Sequence, residues 1–245
     1  MTILGFYYYT DIMEISGKSF IAHPEGCPYL HNRTKTYRYS IIYSLTPDDH
    51  NILLAEGWRH FGYTFFQPAC ADCMLCIPVR IKTFDFIPSK SHRRVLRKNE
   101  HTQTSINELS LTHKIYSIYE NHSINRFGEL PSLQFLITNV LDICSNTYQI
   151  EYYHNSVLFA VDYIDETNEA LSSIYCIYHT NFAKLSPGIF SILYAINLAK
   201  QKGLPYLYLG YYVPGCKVME YKISFHPYQW YNWKNQQWCD EPVIL

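Results

Sequence analysis

The alternation of apolar and polar positions is clearest in the C-terminal half of the chain. Apolar residues recur at alternate positions over Ser156–Ile164 and again over Leu171–Tyr178, which is the pattern of strands that bury one face. The polar run that starts at Asp165 (Asp-Glu-Thr-Asn) lies between the two segments and is typical of a turn. We therefore predict an antiparallel hairpin here.

An apolar helix and a buried strand are predicted to follow. Pro187 and Gly188 suit the first turn of a helix, the apolar pattern runs to about Lys202, and Gly203 is a natural helix end. Leu204–Gly210 then has the apolar character of a buried strand. Strand, strand, helix, strand is the order expected of an α+β acyltransferase domain of the GNAT kind, although many other folds share this order.

The chain before this region divides into a helical part and a cysteine-rich part. Helical patterning covers about residues 109–124 and 133–144. Residues 20–80 are rich in Gly, Pro, Cys and aromatic residues and predict short strands and loops around a cysteine cluster. We expect a cysteine-rich N-terminal domain at residues 1–99 and a GNAT-like acyltransferase domain at residues 100–245.

Composition limits the classes of protein to which the chain can belong. Hydrophobic residues make up 48% of the 245 residues and charged residues 17%, which favours a packed core over disorder. The net charge of −1 argues against a nonspecific nucleic-acid coat but allows a local basic surface. No apolar run approaches the roughly 20 residues of a membrane span, and Met1–Ser19 lacks the pattern of a secretory signal. We expect a cytoplasmic protein whose eight cysteines are mostly reduced.

Four of these cysteines form a candidate metal site. Cys70, Cys73 and Cys76 are spaced at intervals of three, which lets one loop present several soft ligands to a single centre. Cys27 is the natural fourth ligand. Four thiolates suit zinc or an iron–sulfur cluster, and the spacing does not choose between them. The alternatives are free thiols that pack together without metal, or a redox role.

Positive charge is concentrated in one short segment. Residues 80–98 carry seven of the 20 Lys and Arg residues against a single acid, Asp85. Five of the basic residues fall at offsets of zero, three, four, seven and eight, which share one face of a helix. A basic face without interspersed acids favours contact with RNA over a face of surface ion pairs. The seven residues are Arg80 and Lys82, then Lys90, Arg93, Arg94, Arg97 and Lys98 on the helical face.

Motifs in both halves of the chain resemble a known family. They are Cys27–Arg33, Gly57–Gly62, Cys70–Arg80, the basic segment Phe86–Asn99 and the C-terminal run Gly203–Pro227. Together they are similar to the aminoacyl-tRNA–protein transferases, which include eukaryotic arginyltransferases and, closer here, bacterial aspartate/glutamate leucyltransferases. The resemblance implies an enzyme that moves leucine from Leu-tRNA onto the N-terminal Asp or Glu of a protein and so marks that protein for degradation. Arginine is the alternative donor. The resemblance also implies that the basic segment contacts the tRNA.

The chain departs from the family pattern at a few positions. The family usually carries Ser-Leu-Gly-Thr where this chain has Ser186-Pro-Gly-Ile189, and Arg-Ser is common where His60 and Phe61 stand. His92 replaces a common Gln, and His226 replaces a frequent Arg. These departures bear on which amino acid is donated and on which N-terminus accepts it.

The helix predicted from Pro187 bears on the donor. Ile189, Phe190 and Leu193 give this helix an apolar character, and the implied fold would place it beside the aminoacyl group. An arginine donor would require a buried carboxylate, and this segment offers none. The segment therefore favours leucine.

The reaction of the family needs positioning more than it needs a strongly catalytic group. Aminoacyl-tRNA is already an activated ester, and the deprotonated α-amine of the acceptor attacks its carbonyl. Holding both substrates in line and stabilising the oxyanion can supply much of the acceleration, and the transfer itself requires no cofactor. Tyrosine hydroxyls, glycine backbone amides and cations for an acidic acceptor are the groups that this chemistry uses, and each cation has a structural ion pair as its alternative. The candidates are Tyr208, Tyr211, Tyr221 and Lys222 as catalytic residues, and Arg33, Arg59, Gly188, Gly210, Gly215 and Lys217 as substrate-binding residues.

Two other functions fit part of the sequence. An N-acetyltransferase that uses acetyl-CoA needs a loop that binds pyrophosphate, and the stretch from Lys184 to Ile189 lacks the second small residue of that loop. A non-enzymatic module that binds metal and RNA would account for residues 20–98 but not for the C-terminal motif.

Overall fold

The computed structural model describes residues 19–244. Residues 1–18 lie outside the described residues, and with them nearly all of the segment in which we expect no secretory signal. The strands are β1 Phe20–Ile21, β2 Glu25–Gly26, β3 Thr34–Lys35, β4 Tyr37–Ile41, β5 Arg59–Phe61, β6 Thr64–Pro68, β7 Ile77–Lys82, β8 Gln103–Asn107, β9 Thr147–His154, β10 Val157–Glu166, β11 Ala170–Tyr178, β12 Tyr206–Tyr212, β13 Tyr228–Asn232 and β14 Gln237–Asp240. The α-helices are α1 Pro47–Ala55, α2 Lys90–Lys98, α3 His113–His122, α4 Leu133–Leu136 and α5 Pro187–Gln201. Two π-helical turns (Ser123–Phe127, Ile137–Leu141) and two 3₁₀ segments (Thr180–Leu185, Lys217–Ser224) complete the set.

Eight strands form one large sheet in the order β14-β13-β7-β12-β11-β10-β9-β8. The predicted hairpin is confirmed, because β10 and β11 pair antiparallel. The predicted apolar helix is α5, which connects β11 to the parallel strand β12. The predicted buried strand is β12, displaced by two residues to begin at Tyr206. The chain is therefore α+β, as the order of its elements indicates.

One inner strand of the large sheet comes from the N-terminal side of the boundary predicted near residue 100. Strand β7 lies between β12 and β13 and pairs antiparallel with both. It is buried over Ile77–Ile81. The division into a cysteine-rich domain and an acyltransferase domain stays a prediction, and the sheet itself spans both parts.

Helices cover both faces of the large sheet. On one face, α5 buries apolar residues such as Leu193 and Ile196 against Tyr152 and Leu207 of the strands. On the other face, α3 buries Ile115 with its neighbours against the outer strands. Each such aliphatic side chain contributes about 1.5–3 kcal/mol when it leaves water.

A second sheet has the order β1-β4-β6-β5, and α1 packs on it through Leu53 against Phe65. Helix α1 begins cleanly because Thr46 accepts a hydrogen bond from the Asp49 amide and Pro47 occupies the first turn. The π-helical turn after α4 packs closely on Gly62, where a Cβ would lie 2.1 Å from the Thr138 carbonyl oxygen. A side chain at this position would push the two segments apart.

The predicted helix at 133–144 is seen only as α4 and this π-helical turn, and the predicted helix at 109–124 begins later, at His113. Over residues 19–244, none of the helices combines the length and the apolar character that a membrane crossing requires.

Candidate active site

Two adjoining cavities lie between β11, β12 and the surrounding loops. The Arg59 cavity, of about 230 Å³, is lined by Arg59, Gly210 and Tyr211 among others. The α5 cavity, of about 670 Å³, is lined by the first turn of α5, by β11 and by the 3₁₀ segment Lys217–Ser224. Five residues line both cavities, so the two spaces meet at a shared wall. These residues are Ser173, Ile174, Leu209, Met219 and Lys222.

Arg59 is a buried cation, and two of its three guanidinium nitrogens have no hydrogen-bond partner. Its side chain on β5 is 7% exposed, and its Nη1 donates to the carbonyl oxygens of Leu54 and Trp58. Its Nε and Nη2 have no partner. The guanidinium lies over the rings of Tyr208 and Tyr211, 5.1 and 5.8 Å from their centroids. Burial lowers the pKa of this group. Nε and Nη2 together form the edge of an arginine that binds a planar carboxylate through two hydrogen bonds.

Lys222 lies where the two cavities join. Its Nζ donates to the Tyr211 carbonyl oxygen at 2.9 Å and is otherwise buried. Burial, with a smaller effect from the charge of Arg59, lowers the pKa of Lys222 to about 7. Gly210 has φ +74°, at a bulge in β12, and a Cβ there would lie 3.5 Å from the Lys222 Nζ. The amine can therefore gain or lose a proton near neutral pH.

The three candidate tyrosines differ in what their hydroxyls contact. The Tyr208 hydroxyl, which is buried, accepts a hydrogen bond from Arg80 Nη1 at 3.1 Å. The Tyr211 hydroxyl donates to the main-chain carbonyl oxygens of Gly57 and Phe66, at 2.9 and 3.3 Å. Only Tyr221 is exposed, and it lines the α5 cavity. The contacts of Tyr208 and Tyr211 hold β12 against the N-terminal segments, so Tyr221 alone is placed to reach a substrate with its hydroxyl.

The remaining substrate-binding candidates are dispersed. Gly188, the second residue of α5, lines the α5 cavity with open space where a Cβ would be, and the exposed Lys217 lines the same cavity. Gly215 is exposed, has φ +81° and lies near Leu30. Arg33 is exposed, and its carbonyl oxygen accepts from the Cys27 amide. The structure thus brings Gly188 and Lys217 to the cavities, whereas Arg33 and Gly215 lie outside both linings.

The predicted basic helix is α2, and its five basic residues are exposed. Ser89 caps this helix by accepting a hydrogen bond from the His92 amide. At its other end Lys98 Nζ donates to the Lys184 carbonyl oxygen at 3.0 Å, and Asn99 Nδ2 donates to that of Leu185 at 2.8 Å. Because Lys184 and Leu185 directly precede α5, the basic surface lies next to the α5 cavity. This basic surface consists of Lys90, Arg93, Arg94, Arg97 and Lys98.

Arg80 and Lys82 are separate from the basic surface. Arg80 is 9% exposed, and its guanidinium lies 3.7 Å from the ring centroid of Tyr206 and 4.3 Å from that of Trp238. Lys82 pairs with Asp240 at 2.7 Å. Both side chains belong to β7, whose alternate positions point into the packing around the large sheet. Their charge therefore has partners within the protein.

The four motif cysteines line one small cavity, together with Tyr29 and Tyr37. The Thr36 amide donates to Cys70 Sγ at 3.3 Å. Burial and the nearby Cys70, Cys27 and Cys73 raise the pKa of Cys76 to about 12. Thiols that share a cavity oppose one another's ionisation, and a bound cation would remove that opposition. The residues concerned are Cys27, Cys70, Cys73 and Cys76, whose chemistry suits a thiophilic metal. Among the described residues, however, no three of their sulfur atoms all lie within 4.8 Å of one another, so a metal would have to draw them together.

His50, His60 and Asp165 form a buried cluster that the sequence patterns did not single out. Their ligand atoms lie within 4.8 Å of one another. His60 Nδ1 lies 2.8 Å from the Gly62 carbonyl oxygen and Nε2 lies 2.8 Å from Asp165 Oδ2. Since both neighbours are hydrogen-bond acceptors, both ring nitrogens are protonated and the ring is positively charged. Burial lowers the pKa of His60, but the charge and hydrogen bond of Asp165 outweigh it and raise the pKa above its usual value.

Asp165 is the anion that pairs with the charged His60 ring. Burial raises the pKa of this carboxyl, but His60 and His50, with the hydroxyl of Thr147, lower it below its usual value. His50 stays neutral because burial lowers its pKa to about 4. His60 on β5 and Asp165 on β10 thus form a buried ion pair that joins the two strands. No local sequence signal connects positions so far apart along the chain.

Comparisons with known proteins give matches over most of the chain. Residues 25–94 match the family model described as Arginine-tRNA-protein transferase, N terminus, and residues 106–232 match its C-terminus counterpart. An aspartate/glutamate leucyltransferase of Campylobacter jejuni is 33% identical over 217 residues, covering 85% of this chain and 90% of that protein. A protein of the same name from Hahella chejuensis is 31% identical over 216 residues, covering 86% and 92%.

Two solved structures are also similar to this chain. The L-PGS structure from Bacillus licheniformis aligns with a TM-score of 0.45 at 11% identity, over 70% of this chain and 52% of that chain. FemX aligns with a TM-score of 0.44 at 8% identity, over 71% of this chain and 63% of that chain.

Proposed function

Because the chain belongs to the arginine-tRNA-protein transferase family and is an aminoacyl-tRNA–protein transferase, we propose that it moves leucine from Leu-tRNA to acceptor proteins that begin with Asp or Glu. Relatives named aspartate/glutamate leucyltransferase support both the donor and the acceptors. The observation that carries the proposal is the buried guanidinium of Arg59, whose Nε and Nη2 have no partner.

The acceptor side chain binds in the Arg59 cavity. Its carboxylate accepts hydrogen bonds from Nε and Nη2, the two guanidinium nitrogens that have no partner within the protein. A neutral acceptor of similar shape leaves the guanidinium unpaired, and an unpaired buried charge is costly. The cavity, of about 230 Å³, suits one side chain and its α-amine.

The leucyl ester occupies the α5 cavity, with its carbonyl at the junction. Ile174, Ile189 and Ile192 give this cavity apolar walls. The α-amine of the acceptor attacks the ester carbonyl, the new amide bond forms, and the bond to the ribose oxygen breaks. Gly188 lies in the first turn of α5, so its amide has no partner within the helix. This amide can bind the oxyanion.

Lys222 moves the proton in this reaction. The acceptor ammonium first loses one proton to solvent. As the resulting α-amine attacks the ester, the neutral amine of Lys222 takes the second proton from that nitrogen and returns it to the departing ribose oxygen. A pKa of about 7 lets the same group take both roles at neutral pH. Its position in the lining of both cavities supports this role.

The basic surface on α2 binds the acceptor stem of the tRNA. Its exposed Lys and Arg residues contact phosphates, and the hydrogen bonds of Lys98 and Asn99 hold α2 beside the entrance to the α5 cavity. The tRNA end can therefore reach the cavity while the stem lies on the basic surface.

The proposal includes two further parts. The helix α5 between the parallel strands β11 and β12 forms the centre of a GNAT-like acyltransferase domain, preceded by a cysteine-rich domain. Cys27, Cys70, Cys73 and Cys76 hold zinc or an iron–sulfur cluster that stabilises the N-terminal segments and takes no part in the transfer. Metal analysis and visible absorption of anaerobically purified protein test this, and metal-free protein with full activity and unchanged melting would contradict it.

A transfer assay tests the proposed function. Labelled Leu-tRNA and Arg-tRNA are each offered with peptides that begin with Asp, Glu, Asn or Ala. We expect leucine to be transferred to the Asp and Glu peptides. Preferential arginine transfer would overturn the donor assignment, and equal use of Asp and Ala peptides would overturn the acceptor assignment.

A further inference from the structure

The α5 cavity has positive charges in its lining and no acid to balance them. Arg126, in the π-helical turn after α3, and Lys217, at the start of a 3₁₀ segment, both line it and are exposed. Among residues 19–244 no Asp or Glu belongs to this lining, and the nearby Glu129 and Glu220 are exposed outside it. Within the part of the chain that the structure describes, neither cation forms an ion pair. Both are therefore available to an anionic ligand.

The charge of Arg126 acts on the interior of the cavity. Burial lowers the pKa of His122, and the nearby Arg126 lowers it further. Burial raises the pKa of Tyr221 to about 12, and Arg126 acts against this rise. His122 on α3 and Tyr221 on the 3₁₀ segment both line the cavity. The guanidinium is thus close to two lining side chains that come from different elements.

The cavity is larger than a leucyl group requires. Its volume of about 670 Å³ is in the range of cavities that hold a drug-sized ligand. Ile174, Ile189 and Ile192 provide apolar walls for the leucyl side chain. The space beside Arg126 and Lys217 is left for the part of the tRNA that carries the ester. That part is the ribose of the terminal nucleotide, whose 5′ oxygen bears the first backbone phosphate.

Exposed aromatic rings beside the two cations favour a nucleotide over an acidic peptide. Phe127 is 55% exposed and Tyr221 is 40% exposed, and both line the cavity. Nucleic-acid bases stack on exposed aromatic side chains, and cations next to such rings bind the backbone. The side chain of an acidic residue would use the cations but not the rings.

The cavity is also continuous with the basic surface on α2. Ala183 and Ser186 line the cavity, and the two residues between them accept hydrogen bonds from Lys98 and Asn99 through their carbonyl oxygens. A nucleic-acid strand that leaves the cavity at this side meets the cations of α2 next. The charges in the cavity and those on α2 can therefore bind successive parts of one strand.

We propose that Arg126 and Lys217 bind the backbone phosphate of the terminal nucleotide of the tRNA, so that the α5 cavity recognises the aminoacylated end independently of the stem. This inference rests on the proposed function, because it takes the α5 cavity as the donor site. The sequence makes Lys217 a candidate cation for an acidic acceptor. Because Lys217 lines the α5 cavity and not the Arg59 cavity, its position favours the donor instead.

The probes are two small analogues of the tRNA end that differ by one charge. Each is a 3′-leucylamido adenosine, in which a stable amide replaces the ester. One carries a monomethyl phosphate on its 5′ oxygen, with the single negative charge of a backbone phosphate. The other carries a dimethyl phosphate, which is nearly the same size and has no charge. Binding of each is measured by calorimetric titration.

We expect the wild type to bind the charged analogue at least about tenfold more tightly, since one hydrogen bond between charged groups contributes at least that factor. In the double variant Arg126→Gln, Lys217→Gln the two affinities should agree within about twofold. Melting temperatures should stay close to that of the wild type, because both side chains are exposed and have no ionic partner. Equal binding of the two analogues by the wild type would overturn the inference, as would an undiminished preference in the double variant.

A matched control separates the cavity from the basic surface. Arg97→Glu on α2 should weaken the binding of complete Leu-tRNA and leave the ratio between the two analogues unchanged, because a single nucleotide does not extend to α2. Loss of the ratio in Arg97→Glu would show that the analogues report the overall charge of the protein, which would overturn the inference.

A second arm tests the acceptor as the alternative occupant. Transfer to peptides that begin with Asp-Glu and with Asp-Ala is compared in the wild type and in the double variant. The two peptides should keep the same relative efficiency in both proteins. If the double variant lost a preference for the Asp-Glu peptide and kept the analogue ratio of the wild type, the cations would serve the acceptor and the inference would be wrong.

The binding ratio and the transfer reaction fail separately. Leucine transfer by a wild-type protein that binds both analogues equally would leave the proposed function intact and remove the role of Arg126 and Lys217. Discrimination between the analogues without any leucine transfer would keep the phosphate site and remove the proposed reaction.

Discussion

Arg59 and the His60–Asp165 pair line the same cavity and are both buried, but only the pair is matched within the protein. Arg59 keeps Nε and Nη2 without a partner. His60 and Asp165 hydrogen-bond to each other, and Thr147 donates a further hydrogen bond to Asp165. The proposed function gives this difference a meaning: the matched pair holds strands together, and the unmatched guanidinium takes its partner from the acceptor.

The matched pair should have the largest effect on stability. Replacing His60 with Ala leaves the Asp165 charge buried and unpaired, so we expect the free energy of unfolding to fall by about 3–5 kcal/mol. The His60 contribution is fully present below the usual histidine pKa of about 6.5 and is lost as pH rises through its raised folded value. Denaturant titrations of both proteins at several pH values measure this.

The difference between wild type and His60→Ala should therefore shrink as the solution becomes more alkaline. Asp165 adds stability above its usual pKa of about 3.9, and this contribution is lost only as pH falls through its lowered folded value. A difference that grows with pH would contradict the ion pair.

Lys222 should have the largest effect on the chemical step. Lys222→Met removes the group that carries the proton, so single-turnover transfer should slow by about 10² or more. In the wild type the rate should rise as pH increases through about 7, because the amine must lose its proton to act as a base. The variant should keep only the inflection of the acceptor α-amine, near 8. An unchanged profile would exclude Lys222 from the proton transfer.

The basic surface should affect tRNA affinity and leave stability unchanged. Reversing Arg94 and Arg97 to Glu should weaken tRNA binding by at least about tenfold and lower the slope of log affinity against log salt by about 2. Lys114→Glu is the matched control for the single variant Arg97→Glu, since this exposed lysine lies on α3, which covers the opposite face of the sheet. Melting temperatures of all these variants should stay close to that of the wild type. Equal loss of affinity in Arg97→Glu and Lys114→Glu would show that net charge alone is measured.

Asp162 should have the smallest effect on stability. Its carboxyl has a long hydrogen bond to Ser173, a contact with the Tyr163 backbone amide and no ionic partner among the described residues, so Asp162→Asn should change the free energy of unfolding by less than about 1 kcal/mol. The contrast with His60→Ala tests the comparison between matched and unmatched charges directly. A loss of similar size in both variants would mean that Asp162 has a structural partner.

The sequence predicts the elements whose pattern is local. The hairpin β10–β11, the helix α5 and the basic helix α2 follow from periodicity and from end signals within a few residues of each element. Strand β7 could not be placed in the same way, because its partners β12 and β13 lie more than a hundred residues later in the chain. Its inclusion in the large sheet depends on long-range pairing.

The sequence likewise predicted some residues of the candidate site and missed others. Arg59 and Lys222 were candidates because the reaction needs cations, and the fold brings both to the cavities. Tyr211 was a candidate for the same kind of reason, yet its hydroxyl is used by main-chain carbonyl groups. Asp162 and Asp165 differ in their contacts although they are three residues apart on one strand, since only Asp165 has a cationic partner. That difference depends on which face of β10 and which neighbours each side chain meets, and no local pattern records it.

The central claim is that the Arg59 guanidinium recognises the acceptor carboxylate. It is measured most directly by changing the first residue of the peptide and Arg59, separately and together. Transfer efficiency, kcat/KM, is determined for peptides beginning with Asp and with Asn, each with wild type and with Arg59→Gln. A further variant, Arg59→Lys, retains the charge but cannot form two parallel hydrogen bonds to a carboxylate. We predict that the wild type prefers Asp by about 30-fold or more, that Arg59→Gln removes this preference, and that Arg59→Lys restores only part of it. An equal preference for Asp in the wild type and in Arg59→Gln would contradict the account.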